Sequence, residues 1–348
     1  MAYPSLRSCS GWLPDGATRR EQGLVIMKKT LLLSSAGRRN QLMQAFRADA
    51  AGMGIELRVL AADANPTLSP ACHEADEAYT VPSCTSPDFI EVLAGICRRE
   101  KVDLVIPTID PELGPLSRAR EVFAAIGTRV VVSSPAAVAM ANDKLATAQR
   151  LAAAGVGAPA TARLSELRVN SGLLPWPVIV KPNGGSASQG VRRLDRPEEL
   201  GSFEGGPDFI AQECLEGREY TVNVYFTAAG LLCCAVPHLR IEVRSGEVSK
   251  GRTERVPALA AAAEKIASSL PGAEGPLCFQ AIVDSSGKAT VFEINARFGG
   301  GYPLAHRAGA RFSAWLLEES CGLKSTACDV WQEGVTMLRY DSAVYFNG

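Results

Sequence analysis

Two apolar runs late in the chain carry the residue types that hold a hard cation. Cys278-Phe279-Gln280-Ala281-Ile282-Val283-Asp284 and Ala289-Thr290-Val291-Phe292-Glu293-Ile294-Asn295 are joined by Ser285-Ser286-Gly287-Lys288. Polar turn residues between β-prone runs predict a hairpin. Centred between Ser286 and Gly287, that hairpin sets Gln280 directly opposite Glu293. Side chains alternate along a strand, so Glu293, Asn295 and Arg297 share the face that Gln280 joins. Carboxylate and carboxamide oxygens suit Mg2+, or Mn2+, ions that prefer oxygen and are held by a few side chains together with substrate phosphates. Arg297 is placed to neutralise charge on a transferring phosphoryl group. A solvated polar edge strand would look similar, but Phe298-Gly299-Gly300-Gly301 follows and predicts close backbone approach to a ligand.

Two further constellations could serve a nucleotide. Val180-Lys181-Pro182 delivers a lysine to the loop Asn183-Gly184-Gly185-Ser186-Ala187-Ser188-Gln189-Gly190, whose backbone amides can fold over phosphates. The lysine precedes the glycines, so this is no Walker loop, and a plain surface hairpin would also fit. In Gln212-Glu213-Cys214-Leu215-Glu216-Gly217-Arg218-Glu219 two acids flank a turn. A carboxylate there can accept from ribose hydroxyls, and the backbone at Cys214 and Leu215 can read an adenine edge; a charged surface hairpin is the plainer alternative.

The elements that must position these groups fall into two styles. From Lys28, short apolar runs alternate with helical stretches: Thr30 to Ser34, a helix from Asn40 to Ala51, Leu57 to Ala62, a helix from Pro87 to Lys101, Val102 to Pro107, and Arg129 to Val132. Such alternation means a parallel sheet covered on both faces, and residues 27–138 are expected to form a Rossmann-like domain. Ligands bind such sheets where the loops at the strands' carboxyl ends converge. That singles out Arg38 in the first loop and Asp110 and Glu112 in Thr108-Ile109-Asp110-Pro111-Glu112 as substrate contacts, although both acids would also serve as turn and helix-cap residues. Past Asp143 the runs Phe209 to Cys214, Glu219 to Phe226 and Leu231 to Val236 lie close together, which predicts antiparallel hairpins and an α+β second half.

Composition sets the outer limits. A chain of 348 residues exceeds the usual size of one hydrophobic core. Its 36 basic and 37 acidic residues form no long run of either sign, so small molecules rather than nucleic acid or a membrane are the expected partners. No apolar stretch is long enough to span a bilayer and no secretory pattern opens the chain, which points to a cytoplasmic protein. The ten cysteines include no Cys-x-x-Cys; neither zinc nor a disulfide framework is expected. Residues 1–26 lack periodicity and read as a disordered extension.

Taken in order, Asp143-Lys144, Val180-Lys181-Pro182 with its small-residue loop, Gln212 to Glu219, Gln280, and Glu293-Ile294-Asn295-Ala296-Arg297 resemble the ATP-grasp superfamily. The match covers roughly residues 28–320, and the chain is similar to single-copy proteins related to one half of the carbamoyl phosphate synthetase large subunit. The resemblance implies an α/β protein with a Rossmann-like pre-ATP-grasp domain, then ATP-grasp subdomains A (139–208) and B (209–325) and a closing segment (326–348). It implies that Lys144 and Lys181 contact ATP phosphates and that Gly184 to Gly190 is a flap. Glu213, Cys214 and Leu215 would line the adenine site and Glu219 the ribose site. Gln280, Glu293 and Asn295 would hold magnesium, and Arg297 would stabilise the reacting phosphoryl group. Arg244 and Lys250, in a cation-bearing segment near the expected substrate end, are candidates to hold the acyl phosphate or the substrate carboxylate. The activity implied is carboxylate–amine ligation of small metabolites such as amino acids through an acyl phosphate. One ATP-grasp half without a glutaminase segment makes bicarbonate activation toward carbamoyl phosphate the second choice, though two copies could pair in a homodimer. A non-catalytic nucleotide sensor or scaffold is the third.

Overall fold

The computed structural model describes residues 27–185 and 190–346; the extension 1–26 and Ser186, with the rest of 186–189, lie outside the described residues. The first domain runs β1 (Lys28–Ser34), α1 (Asn40–Met53), β2 (Glu56–Asp63), α2 (Pro70–Glu74), β3 (Glu77–Thr80), α3 (Phe89–Glu100), β4 (Leu104–Pro107), α4 (Asp110–Arg118), α5 (Arg120–Ala124) and β5 (Arg129–Val130). Its strands form one parallel sheet in the order β3-β2-β1-β4-β5. Leu32 belongs to the core on one face of that sheet and Leu31 and Leu33 to the core on the other, the two-sided burial that parallel strands require. β3 is absent from the sequence reading because Glu-Ala-Tyr-Thr is a short, mostly exposed edge without an apolar run.

Helices α6 (Pro135–Asn142) and α7 (Lys144–Ala153) lead into a four-stranded antiparallel sheet in the order β6-β9-β7-β8: β6 (Thr161–Arg163), β7 (Val178–Pro182), β8 (Arg192–Leu194) and β9 (Phe209–Glu213). The larger sheet orders β14-β13-β10-β11-β12-β15, built from β10 (Arg218–Phe226), β11 (Leu232–Arg244), β12 (Glu247–Thr253), β13 (Gly275–Val283), β14 (Ala289–Asn295) and β15 (Thr336–Leu338). The expected hairpin between β9 and β10 does not form. A strand has two edges, and those of β10 are taken by β11 and β13, so β9 pairs instead with β6 and β7. The smaller sheet thus extends to Glu213 rather than ending at residue 208. It keeps a core of its own around Val178, Val180 and Ala211, whereas the first domain and the larger sheet share continuous cores. Among the described residues no helix is long and apolar enough to cross a membrane.

Candidate active site

The β13–β14 pairing puts Gln280 opposite Glu293 and Cys278 opposite Asn295, but by an indirect route. The loop is odd in length, pairing Val283 with Ala289, and alone would bring Phe292 opposite Gln280. A bulge between Gln280 and Ala281 absorbs the extra residue and restores Glu293 to its partner. Bulges turn an adjacent side chain toward a site, and both Phe292 and Glu293 line one cleft. The register then carries a polar row across five strands: Glu293, Gln280, Thr221, His238 and Thr253 are successive cross-strand partners.

Only the Glu293–Gln280 end of that row reaches a cleft of about 590 Å³ between the two antiparallel sheets, while Thr221, His238 and Thr253 are buried beneath the surface. Lys144, Lys181, Gly184, Gly185, Glu213, Cys214, Leu215, Glu219, Gln280 and Glu293 all line the cleft. Alternation on β7 explains Lys181, since Val178 and Val180 point into the small core and Ile179 and Lys181 into the cleft. Burial pulls the Lys181 pKa down to about 8, with Glu293 drawing it back up. The same burial raises the Glu293 pKa against the pull of Lys144 and Lys181. Lys144 opens α7 behind its N-cap Asp143, whose carboxylate accepts from Ala146 N at 2.8 Å; its ammonium donates to the Gly185 carbonyl at 2.7 Å. At the opposite end of the cleft the Glu213 carboxylate accepts from Ala160 N at 2.9 Å and the Cys214 amide is spent on the Pro177 carbonyl at 3.1 Å. Leu215 N–H has no acceptor among the described residues.

Arg297 sits beyond the row. Its Nη2 lies 2.5 Å from Asp110 Oδ2 and donates to Asn295 Oδ1 at 3.3 Å. Burial works against the guanidinium's charge, yet Asp110 beside it keeps its pKa above the ordinary value. The first domain therefore reaches into this site through Asp110, while Asn295 lies buried next to Arg297 and not on the cleft wall.

Several expected contacts are placed elsewhere. Glu112 is fully buried, with its two oxygens accepting from Ser34 Oγ, Ser35 Oγ and the amides of Thr108 and Ile109; it ties the β1 loop to the start of α4 and has nothing left for a substrate. Lys250 is exposed on β12, pairs with Glu242 at 2.7 Å, and lines neither this cleft nor the neighbouring cavity. Arg244 is exposed and paired with Asp341 at 3.0 Å on the wall of that second cavity. Gly190 packs on Pro182 instead of lining the cleft. The close approach at Gly299 to Gly301 includes protein: a Cβ at these positions would meet Cys278 Sγ at 2.9 Å, Glu247 Cδ at 2.6 Å and His238 Nε2 at 2.6 Å.

The cleft also holds Arg240, which sequence reasoning passed over for Arg244. Its Nε is 2.9 Å from Glu219 Oε1 and its Nη1 donates to Thr221 Oγ1 at 3.0 Å. Extending the β10–β11 register from Thr221–His238 would have aligned these opposite charges. The second cavity, of about 350 Å³, opens between the β1–α1 loop, the β11–β12 turn and the segment after β15, with Arg38, Arg39, Arg244 and Arg339 on its wall.

Comparison with known proteins agrees with this architecture. A PylC-like N-terminal domain model matches residues 31–131, and an ATP-grasp domain model matches residues 141–301. The D-alanine–D-alanine ligase of Caulobacter vibrioides is 30% identical over 162 residues, 44% of this chain and 49% of that protein; the chain thus spans about half the length of this curated relative. Biotin carboxylase from Campylobacter jejuni superposes with a TM-score of 0.70 at 16% identity, over 88% of this chain and 73% of that one. L-amino acid ligase from Bacillus licheniformis gives 0.66 at 18%, over 86% and 75%. N5-carboxyaminoimidazole synthetase from Staphylococcus aureus gives 0.66 at 16%, over 87% and 80%. At these identities the structural likeness speaks to the fold alone, while the two model matches assign a PylC-like N-terminal domain to residues 31–131 and an ATP-grasp domain to residues 141–301 of this chain.

Proposed function

We propose that this protein is an ATP-dependent carboxylate–amine ligase that activates a small-molecule carboxylate as an acyl phosphate and passes the acyl group to an amine, releasing ADP and phosphate. The observation that carries this reading is the juxtaposition, in one cleft, of Glu293 and Gln280 with Lys144 and Lys181, with Arg297 beyond them. The ATP-grasp match and the ligase among the relatives support the reaction class.

The donor set fits magnesium. Glu293 and Gln280 accept no hydrogen bond among the described residues, and burial raises the Glu293 pKa despite the charges of Lys144, Lys181 and Arg297 nearby, so the carboxylate has open coordination capacity for a cation. Among the described residues no three His, Cys, Asp or Glu cluster as a metal site, so an ion here would rest on one carboxylate, an amide oxygen and substrate phosphates. When bound, it would draw charge off the phosphates and so assist in-line attack by the carboxylate. Lys144 and Lys181 would neutralise the phosphate oxygens. Leu215 N–H is free to donate to a base, and Glu219, held by Arg240, to accept from a ribose. Arg297, fixed by Asp110, would counter the charge that builds on the group in transfer.

The test is a phosphate-release screen over paired amino acids, with bicarbonate and ammonia included, and with hydroxylamine added to trap the acyl phosphate as a hydroxamate. The ligase reading expects ADP and hydroxamate formation that depends on a carboxylic acid and disappears in Glu293→Ala. ATP hydrolysis stimulated by bicarbonate alone would transfer the assignment to carbamoyl phosphate chemistry, and turnover unchanged in Glu293→Ala would remove the metal site.

A further inference from the structure

The second cavity is built where an α/β sheet opens a crevice. In the order β3-β2-β1-β4-β5 the direction of winding reverses between β1 and β4, and ligands bind outside the carboxyl ends of strands at such a reversal. The loop after β1 brings Arg38 and Arg39 there, and Arg39 Nη2 donates to Thr108 O in the loop after β4 at 3.4 Å.

Its lining is arranged around cations left with charge to spare. Four arginines, Arg38, Arg39, Arg244 and Arg339, face three acids, Glu74, Glu247 and Asp341. Glu247 is shared, accepting from Arg39 at 3.1 Å and from Arg339 at 2.9 Å. Arg38 has no ion-pair partner among the described residues, and Arg339 Nε is buried without an acceptor. The same wall carries the start of α1, where Asn40, Gln41 and Leu42 line the cavity. No side chain caps that helix and no acid sits in its first turn, so its leading amides face the space uncompensated. One surplus positive charge, a guanidinium fork and free amides are the recognition chemistry of an oxyanion.

We propose that this cavity anchors a carboxylate or phosphate group of one of the ligase's substrates, at a point of the molecule other than the atom that reacts. The anchored group is a different one from the reacting atom, since the lining includes neither Glu293 nor Gln280. The link to the chemistry is Arg39, which feels the charges of both Asp110 and Arg297. The substrate assignment rests on the ligase reading; the binding itself does not need nucleotide.

The test is therefore run on the full chain without ATP. Phenylglyoxal labelling of individual arginines is followed by mass spectrometry in the presence of succinate, inorganic phosphate or the neutral succinamide. Arg196, exposed on the small subdomain, is the internal control. Saturable protection of Arg38 by succinate or by phosphate, but not by succinamide, with Arg196 unaffected, is expected. The better protector distinguishes a carboxylate from a phosphate ester as the source. In Arg38→Gln, a change at an exposed and unpaired side chain, Arg39 becomes the reporter and the half-saturating concentration should rise about tenfold. Equal protection by succinamide, or none by either anion, overturns the inference. Intact ATP turnover without protection strikes this inference alone; protection without turnover in any substrate screen strikes the ligase reading and leaves the oxyanion site standing.

Discussion

Lys181 offers the most direct handle on the cleft, because burying a cation there has opposite consequences for the empty and the occupied protein. The residue is 8% exposed, and burial brings its pKa from the ordinary 10.5 to about 8, with Glu293 opposing that shift and Lys144 adding to it. An unfolded lysine keeps its proton to about pH 10.5, so at pH 7 the folded, ligand-free chain carries a buried ammonium that the unfolded chain holds in water. This difference subtracts about 3 kcal/mol from stability at pH 7. Between pH 8 and 10.5 the unfolded state binds more protons, so stability rises with pH through that window and the penalty is gone above it. From pH 7 to pH 9 the recovery is about 1 kcal/mol.

Lys181→Met should therefore stabilise the ligand-free protein at pH 7 by about 2 kcal/mol, the lost contact with the Phe292 ring at 5.5 Å taking back part of the gain. The advantage over the parent should shrink steadily toward pH 10. With ATP present the order should reverse, since phosphate charge repays the buried ammonium in the parent and not in the variant. Urea unfolding of both proteins at several pH values, with and without ATP, reads all of this. A variant less stable than the parent at pH 7, or two stability curves running parallel from pH 7 to pH 10, would refute the account of Lys181 as a cation held in readiness for phosphate.

Asp110→Asn leaves the buried Arg297 guanidinium facing a neutral amide; it should cost about 3 kcal/mol in urea unfolding and lower kcat at least tenfold while leaving the KM for ATP nearly unchanged. Glu274 is buried between Arg120 at 2.5 Å and Arg129 at 2.9 Å, tying the first domain to β13, so Glu274→Ala should cost about 3 kcal/mol with the cleft chemistry intact. Gly301→Ala would drive a Cβ to 2.6 Å from the fully buried His238 and should destabilise by about 2 kcal/mol. A double-mutant cycle with His238→Ala should recover much of that, and additive losses would show the crowding to lie elsewhere.

What could be read from the sequence tracks how local the determining physics is. Strands β1, β2 and β4 are legible because parallel strands buried on both faces must be continuously apolar. The groups of the cleft are legible because alternation on a strand fixes which residues share a face, as for Ile179 and Lys181 on β7. Partner choice is less local: whether β9 joins β10 depends on β13, more than sixty residues later, claiming an edge of β10 first. The same limit applies to charge. Arg244 and Lys250 read as cations near the substrate end, but their nearest acids, Asp341 and Glu242, lie outside the cleft. Arg240 and Glu219 meet because a shared register carries them together. Glu293 shows how a correct placement can hide a compensation. The symmetric turn needed to set it against Gln280 is not the turn the chain makes; an odd loop and a bulge at Phe292 give the same pair. A single-residue error in loop length is thus cancelled by a single-residue bulge. The bulge also directs two consecutive side chains into the cleft, an aromatic ring beside Lys181 and the carboxylate beyond it, an arrangement that a regular hairpin of the same residues could not supply.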